Sequence, residues 1–462
     1  MATDNDPRHP KAPVRSTTLL DPRRFSEVSQ AFLVEHRKRL ATALVQVYQI
    51  DRKLPNAWEA HPVALEWVIS LALEEPSRAA YAVPLGWGDE LLLDQNESPV
   101  PPEDPFYVRW NELMAMSLAD RVQELESGRK SFEAKAMSTD WGGQARAIGE
   151  VTELTFLVNR ASLSVNRTAL TDDDQSLVQQ TLAVVGAVID LIAESSEAKT
   201  LFQTLENLSN GQVLNHMVRV FYTMVSFLLY YNTVHSQGLN RKVRALFPGR
   251  FQNQYASLLP HLRESLNTFD NLVRLSQISR GKLNVYALGT LMHDIGKILD
   301  LQYFENGAAY DRARILQHPI IGSGLFQKTY GEKHEDARYI VGDHHNYLFH
   351  PEGYGLTRWD RLRSARPKVE VVCCISDTLE TFRSGQALGF FPVEVCAIID
   401  VYDALTDSSR AYKSGMTPAD AVRFMDEHFC RTRKMDPILF GLFVEFLRSM
   451  GTDVGPEGGL FG

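Results

Sequence analysis

The sequence predicts an all-α protein built from two helical domains, and two observations carry this prediction. The chain has 462 residues, more than the roughly 250 to 300 residues that one hydrophobic core usually serves. Apolar residues recur every three or four positions in segments such as 31–41 and 178–192, which is the spacing of one buried helix face. The apolar stretch 213–231 continues this pattern as a buried core helix.

The chain is expected to divide into three parts. Residues 1–23 are rich in Pro, Asp, Arg and Lys without apolar periodicity, which is typical of a disordered tail. Residues 24–205 are expected to form a helical domain with a regulatory role, and residues 206–455 a second helical domain. Recognisable functional motifs begin only after residue 210, so the first domain yields a fold class and no function.

Composition and charge exclude several classes of function. The net charge is −9 and the isoelectric point about 5.8, which argues against a polymeric nucleic acid or an anionic membrane as partner. His216 and Arg219 interrupt the apolar stretch 213–231, and a charge inside a bilayer is costly. The four cysteines lack metal-ligand spacing and follow no secretory signal. We therefore expect a cytoplasmic protein with reduced, buried thiols.

The strongest motif pairs a histidine with an aspartate. His293 and Asp294 follow an apolar helical run and precede Gly296 and Lys297. An imidazole nitrogen and a carboxylate then face the same small volume, where a carboxylate can bridge two cations and a neutral imidazole can bind one of them. Lys297 lies four residues after His293, so on a helix it shares that face and can approach a phosphate.

Further motifs follow in order along the chain. They are His318-Pro319, the doublet His344-His345 preceded by Asp343, the tripeptide Gly353-Tyr354-Gly355, the run Asp400-Val-Tyr-Asp403-Ala-Leu-Thr406, and Arg410-Ala-Tyr412-Lys413. Together with the His-Asp motif, this ordered set resembles the HD-GYP family of cyclic dinucleotide phosphodiesterases. The resemblance predicts that the second domain is a helical phosphohydrolase domain of the HD type.

The resemblance also implies a metal centre and a substrate site. Its metal ligands would be His293, Asp294, His318, His344, His345 and Asp400. Asp294 would bridge two divalent transition metal ions, usually iron or manganese in the family, and mixed imidazole and carboxylate ligands suit such metals. The implied activity is hydrolysis of cyclic di-GMP or a related cyclic dinucleotide. Substrate contacts would come from Lys297, Tyr354, Arg410 and Lys413, and Asp294 and Lys297 would act in catalysis.

Two positions of the resemblance stay open. The family has a further histidine upstream, in a His-x-x-Arg-Val context; His216 matches this context, whereas His261 has the closer spacing to His293. Similarly, Asp400 matches the local motif, whereas Asp377 has the closer spacing to the histidine doublet. We favour His216 and Asp400, and infer that extra residues in the chain account for the spacing. Asp403 is interpreted as a residue that orients its neighbours.

Departures from the family bear on the metal count and the substrate. The glutamate of three-metal members is replaced by Gln212 or Ser257, neither of which is a strong ligand for a hard metal, so two metals are expected. Gly355 stands where the family has proline, which leaves the substrate open. The alternatives are an HD phosphohydrolase acting on other nucleotides, and a signalling adaptor that binds partner proteins or a cyclic dinucleotide. Signalling proteins as partners and a homodimer are further expectations.

Overall fold

The described part of the chain forms two compact units. The computed structural model describes residues 18–20, 25–28, 33, 47–54, 57–63, 80–84, 109, 112–138, 140–163, 171–195, 198–206, 213–258, 275–296, 316–350, 352–357, 371–407, 415–455 and 459. Described residues up to position 84 belong to the first unit, and those from position 109 onwards to the second.

The first unit contains an antiparallel five-stranded sheet. Its strands are β1 (Thr18–Leu20), β2 (Phe25–Val28), β3 (Val47–Leu54), β4 (Ala57–Val63) and β5 (Ala80–Pro84), arranged in the order β1-β4-β3-β5-β2. Val47, Tyr48 and Ile50 on β3 are buried, and β-branched and aromatic side chains favour strands. The prediction of helix from residue 24 is therefore wrong for these segments, and β1 lies inside the segment predicted as a disordered tail.

The second unit is helical. In chain order its α-helices are α1 (Leu118–Ser138), α2 (Trp141–Leu163), α3 (Asp172–Glu194), α4 (Ala198–Glu206), α5 (Val213–Ser236), α6 (Leu239–Arg250), α7 (Gln252–Leu258), α8 (Arg280–Leu291), α9 (His318–Tyr330), α10 (Glu335–Asp343), α11 (Leu379–Arg383), α12 (Phe391–Thr406), α13 (Pro418–Met425) and α14 (Pro437–Ser449). Strands β6 (Cys373–Ser376) and β7 (Ala387–Phe390) form a small parallel pair beside them. Helices thus dominate the described residues, which confirms the predicted all-α class.

The helices before and after residue 205 belong to the same unit. Helices α1, α2 and α3 contact one another, and α3 also contacts α8 and α9. The boundary predicted between residues 205 and 206 therefore does not coincide with the division of the chain into units. Among the described helices, α3 alone is long and apolar enough to span a membrane by length and composition, a test that core helices of soluble proteins also pass.

Side-chain caps set where two of these helices begin. The Thr171 hydroxyl accepts a hydrogen bond from the Asp174 amide at 3.3 Å, and the Asp174 carboxylate accepts one from the Thr171 amide at 2.8 Å. This reciprocal pair is a capping box at the start of α3. The Ser279 hydroxyl accepts from the Lys282 amide at 3.3 Å and starts α8. These caps supply partners for amides that the first helical turn leaves unpaired.

Close packing of five helices brings their polar ends together. Helix α5 packs against α8 and α12, and α10 packs against α8, α9 and α12. At the α8–α10 contact, a Cβ on Gly289 would lie only 2.8 Å from the Ala337 Cα and 2.9 Å from its carbonyl oxygen. The absence of a side chain at Gly289 therefore lets the two helices approach closely, so the residues that follow each of them lie near one another.

Candidate metal centre

In the part of the chain that the structure describes, seven buried histidine and aspartate residues converge where these helices meet. They are His216 on α5, His293 and Asp294 directly after α8, His318 at the start of α9, His344 and His345 directly after α10, and Asp400 on α12. Each has between 0% and 7% of its surface exposed. Buried imidazoles and carboxylates in such number require partners that compensate for lost hydration.

Gly296 allows the turn after α8 to reach the start of α9. A Cβ at this position would overlap the carbonyl oxygen of His318 and would lie 2.7 Å from the amide nitrogen of Gly322. The glycine of the His-Asp-Ile-Gly motif therefore has a packing role. It lets the turn that carries Asp294 contact the helix that carries His318.

We expect Gly296→Ala to destabilise the fold by about 1–3 kcal/mol or more, because the new methyl group must displace backbone atoms. The matched control is Gly324→Ala on α9, where a Cβ would meet no atom within 4 Å and alanine favours the helix by about 1 kcal/mol. Thermal unfolding of both variants checks this expectation. Equal melting temperatures for the two would contradict the packing role of Gly296.

The two carboxylate oxygens of Asp294 face different sets of histidines. Its Oδ2 lies 3.5 Å from Nε2 of His216 and 3.5 Å from Nε2 of His293. Its Oδ1 lies 3.2 Å from Nε2 of His318 and 3.6 Å from Nε2 of His344. One carboxylate thus lies between two groups of nitrogen ligands.

Three groups of side chains offer ligand atoms close enough together to hold a metal ion. Their atoms lie within 4.8 Å of one another in each group. The groups are His216 with His293 and Asp400, His318 with His344 and His345, and His293 with Asp294 and His344. Because the third group shares His293 with the first group and His344 with the second, the described ligands suit two neighbouring cations joined at Asp294.

Backbone carbonyls set the tautomers of two histidines. His293 Nδ1 lies 2.8 Å from the carbonyl oxygen of Thr290, and His344 Nδ1 lies 3.1 Å from that of Val341. A carbonyl oxygen only accepts hydrogen bonds, so each Nδ1 carries the proton and each neutral ring has its lone pair on Nε2. Metal binding requires a nitrogen lone pair, and the Nε2 lone pairs of both rings lie on the side of Asp294.

A carboxylate and a guanidinium orient His216. Its Nδ1 lies 2.7 Å from Asp403 Oδ2. Arg219 donates to both oxygens of Asp403, at 2.6 and 2.9 Å, and to Asp407 Oδ2 at 2.9 Å. Burial alone would raise the pKa of Asp403, but Arg219 and His216 outweigh it and lower that pKa to about 2. A carboxylate behind a ligating imidazole fixes its ring orientation.

The Arg219–Asp403 contact was not predicted, although the sequence contains a signal for it. Arg219 follows His216 by three residues, and Asp403 follows Asp400 by three residues. On a helix, this spacing puts Arg219 on the same face as His216, and Asp403 on the same face as Asp400. The pairing itself depends on how α5 and α12 pack together, which the spacing does not specify.

The electrostatics of the cluster favour added positive charge. Burial disfavours the imidazolium form of His216, yet Asp294, Asp400 and Asp403 raise its pKa to about 10. Within the described part of the chain, the Nε2 atoms of His216 and His293 are buried without a hydrogen-bond partner of good geometry. Buried imidazole nitrogens beside several carboxylates fit divalent cations, which would balance the carboxylate charge in place of a proton.

The Gly353-Tyr354-Gly355 loop packs onto the histidine doublet. The Tyr354 ring stacks on His345 with centroids 4.6 Å apart and planes 29° apart. A Cβ at Gly355 would lie 2.6 Å from Asp343 Oδ1 and 2.7 Å from the Gly342 carbonyl oxygen. The position therefore has no space for the ring of a proline in this conformation, which gives a packing reason for the departure from the Gly-Tyr-Pro pattern.

Asp343 anchors the chain just beyond this loop. Its carboxylate accepts from the Thr357 amide and from the Thr357 hydroxyl, each at 2.8 Å. Burial raises the pKa of Asp343 to about 7, against the opposing effect of these hydrogen bonds. Since His344 follows directly, the anchor links the loop to the candidate metal ligands.

Sequence reasoning did not find the turn at Tyr347 and Leu348. These residues have φ angles of 47° and 48°, in a region that non-glycine residues rarely adopt. The turn brings the Tyr347 hydroxyl 3.3 Å from Nδ1 of His345. Tertiary contacts impose this conformation, and neither residue type signals it in the sequence.

Asp377, the rival candidate for the ligand position of Asp400, lies outside the described cluster. Asp377 follows β6, where its carboxylate accepts a hydrogen bond from the Ser276 hydroxyl, and it belongs to none of the three ligand groups. The geometry therefore favours Asp400 over Asp377 as the ligand, and the choice between them stays a prediction. His261, Lys297, Arg410 and Lys413 lie outside the described residues.

Comparison with protein families gives one match. The family model of the HD domain matches residues 262–381. The chain contains an HD domain. HD domains are generally metal-dependent hydrolases, in agreement with the convergent histidine and aspartate ligands. No curated protein and no solved structure matched the chain.

The geometry extends the site beyond the matched HD domain. The match includes five of the seven clustered residues, from His293 to His345. His216 precedes the match and Asp400 follows it. Both come from helices that pack against the HD domain and complete one side of the cluster.

Proposed function

We propose that the chain is a metal-dependent phosphodiesterase that hydrolyses cyclic di-GMP or a related cyclic dinucleotide at a two-metal centre. The observation that carries the proposal is the position of Asp294, whose two oxygens face separate histidine sets. A carboxylate in this position suits a bridge between two cations. Iron or manganese is the proposed metal, since both accept mixed imidazole and carboxylate ligands.

The protein residues would hold a phosphodiester in a fixed geometry. Two bound divalent cations would supply a polarised phosphoryl oxygen and a water of lowered pKa. Asp294 would keep the two histidine sets at a constant separation, and the carbonyls behind His293 and His344 would keep each Nε2 unprotonated. Asp403 would hold the His216 ring in place. This preorganisation lowers the cost of arranging the reacting groups.

Support for a dinucleotide substrate comes from the order of the sequence motifs and from Tyr354. The Tyr354 ring lies beside the centre, stacked on His345, and exposed aromatic surface can also stack on a nucleobase. Phosphate charge would be neutralised by Lys297, Arg410 and Lys413, which the motif resemblance assigns to substrate. Lys297 would act with Asp294 in catalysis.

We expect Arg410→Ala to reduce productive substrate binding by roughly ten- to a hundredfold, since a charge-assisted hydrogen bond contributes about 1.5–3 kcal/mol. Lys413→Ala should have a smaller effect, because an ammonium group lacks the bidentate geometry of a guanidinium. Both variants should keep their metal, because protonated guanidinium and ammonium groups do not ligate cations. Steady-state hydrolysis, metal content and melting temperature of each variant check this. Unchanged kinetics with a lower melting temperature would show that the two residues stabilise the fold instead.

The decisive experiment is product analysis with protein purified anaerobically and assayed for metal. Cyclic di-GMP, other cyclic dinucleotides, nucleoside triphosphates and nucleoside monophosphates form the substrate panel. Hydrolysis of cyclic dinucleotides supports the proposal. Hydrolysis of the linear nucleotides alone would assign the chain to the other HD phosphohydrolases. Absence of hydrolysis by metal-loaded protein would favour the adaptor role.

A further inference from the structure

A second site is suggested by a cavity of about 480 Å³ between α1, α2 and α3. It shares no lining residue with the metal centre. Apolar side chains that line it include Phe132 on α1, Trp141 on α2 and Leu191 on α3. Its volume lies within the range of roughly 300–1,000 Å³ that is typical of small-molecule sites.

Negative charge dominates the polar lining of the cavity. Glu133, Asp190 and Glu194 line it, and no Lys or Arg is among its described lining residues. Arg129 pairs with Glu133 at 2.5 Å and Arg280 with Asp190 at 2.6 Å, whereas Glu194 has no ion pair with a residue that the structure describes. Helices α1 and α3 both end beside the cavity, so the negative ends of two helix dipoles add to this charge.

Gln144 contributes an unused hydrogen-bond acceptor to the same lining. Its Nε2 donates to the Ala136 carbonyl oxygen at 2.9 Å, which leaves Oε1 buried and without a partner among the described residues. The free amides at a helix start can attract an anion. At the start of α2, however, the Gly143 amide already donates to Asp140 Oδ1 at 2.8 Å. The cavity therefore suits a ligand that donates hydrogen bonds.

We propose that this cavity binds an organic cation that carries one amino or guanidinium group on an aromatic or aliphatic body. The charged group interacts with Glu194 and donates to Gln144, and the apolar body contacts Phe132, Trp141 and Leu191. An indole face adds a cation–π contribution. Met137 lines the cavity and is 92% exposed, so it offers further apolar surface at the rim.

The position of the cavity connects it to the helix that precedes the metal ligands. Arg280, which pairs with Asp190 on the cavity wall, also donates to the Gly186 carbonyl oxygen at 2.9 Å. Arg280 is the first residue of α8, whose other end leads to His293 and Asp294. Substitution of Asp190 would disturb this contact, so Glu194 is the better residue for a test.

The test is isothermal titration calorimetry of the full chain with 2-phenylethylamine, 2-phenylethanol and 3-phenylpropionate, which share a ring and differ in charge. The amine should bind, the alcohol should bind on the order of tenfold more weakly because it lacks a charge-assisted contact, and the carboxylate should give no binding. Glu194→Gln should weaken amine binding by about two- to fivefold, as expected for a partly exposed ion pair. It should leave alcohol binding unchanged.

Two controls separate the cavity from the rest of the surface. Ala187→Phe places a ring in the cavity and should abolish amine binding. Glu126→Gln replaces a partly exposed carboxylate on α1 that does not line the cavity, and it should leave amine binding unchanged. Melting temperatures verify that each variant folds. Equal affinity for amine and alcohol, no effect of Glu194→Gln, or no binding of any probe by the unsubstituted protein would each overturn the proposal.

Discussion

Asp294→Ala is expected to reduce the metal content from about two ions per chain to almost none. Among the described residues, its carboxylate alone lies within 3.6 Å of candidate ligand nitrogens on both sides of the cluster. Without it, the two cations would lose the carboxylate between the two histidine sets, and Asp400 would be the one charged ligand left among the described residues of the cluster. Hydrolysis should fall with the metal, because the proposed reaction depends on both ions.

Elemental analysis of the purified variant measures this effect directly. Asp294→Asn is a second variant of nearly the same shape, and it should also lose metal because an amide cannot bridge two cations as a carboxylate does. Asp173→Ala is the matched control, since Asp173 is exposed at the start of α3. Full occupancy in both Asp294 variants would exclude a bridging role for Asp294.

The comparison of Asp400→Asn with Asp377→Asn should give the second large effect. Asp400 Oδ1 lies 3.2 Å from Nε2 of His216 and 3.8 Å from Nε2 of His293. Its loss removes the charged ligand from one side of the cluster. We expect Asp400→Asn to lose at least one metal ion, and its activity to fall by about a hundredfold or more. Substitution of residues that only hydrogen-bond to metal ligands typically costs about 10- to 100-fold.

Asp377→Asn should retain both metal ions and most of the activity. Its carboxylate accepts a hydrogen bond from Ser276, and its backbone carbonyl accepts one from Lys282 at 3.1 Å. The substitution can therefore lower the melting temperature slightly without reaching the centre. Metal loss in Asp377→Asn with normal occupancy in Asp400→Asn would show that the assignment of the two residues is reversed.

Much of the fold could be predicted because helical periodicity is a local property. The segment 178–192 reads as a helix and lies within α3. The strands at residues 47–63 were missed, although Val47, Tyr48 and Ile50 carry the side chains that strands prefer. Propensity over a few residues is a weak signal, and the pairing of β3 with β4 and β5 decides the structure there.

The residue types at the candidate centre could be predicted from short segments of sequence. Adjacent residues such as His293-Asp294 and His344-His345 stay adjacent in any fold, so their residue types and order already indicate imidazole and carboxylate ligands. The HD domain match over residues 262–381 rests on the same local information.

Which distant residues join the cluster depends on how the helices pack, and no local pattern specifies this. His216 and Asp400 lie 184 positions apart along the chain, and each had a rival that fitted the expected spacing better. Packing of α5 against α8 and α12 brings both into the cluster, while the hydrogen bond to Ser276 keeps the Asp377 carboxylate engaged elsewhere. The number of residues between two ligands does not fix the distance between them in space. A metal ion requires ligand atoms that are close in space, and helix packing determines that distance.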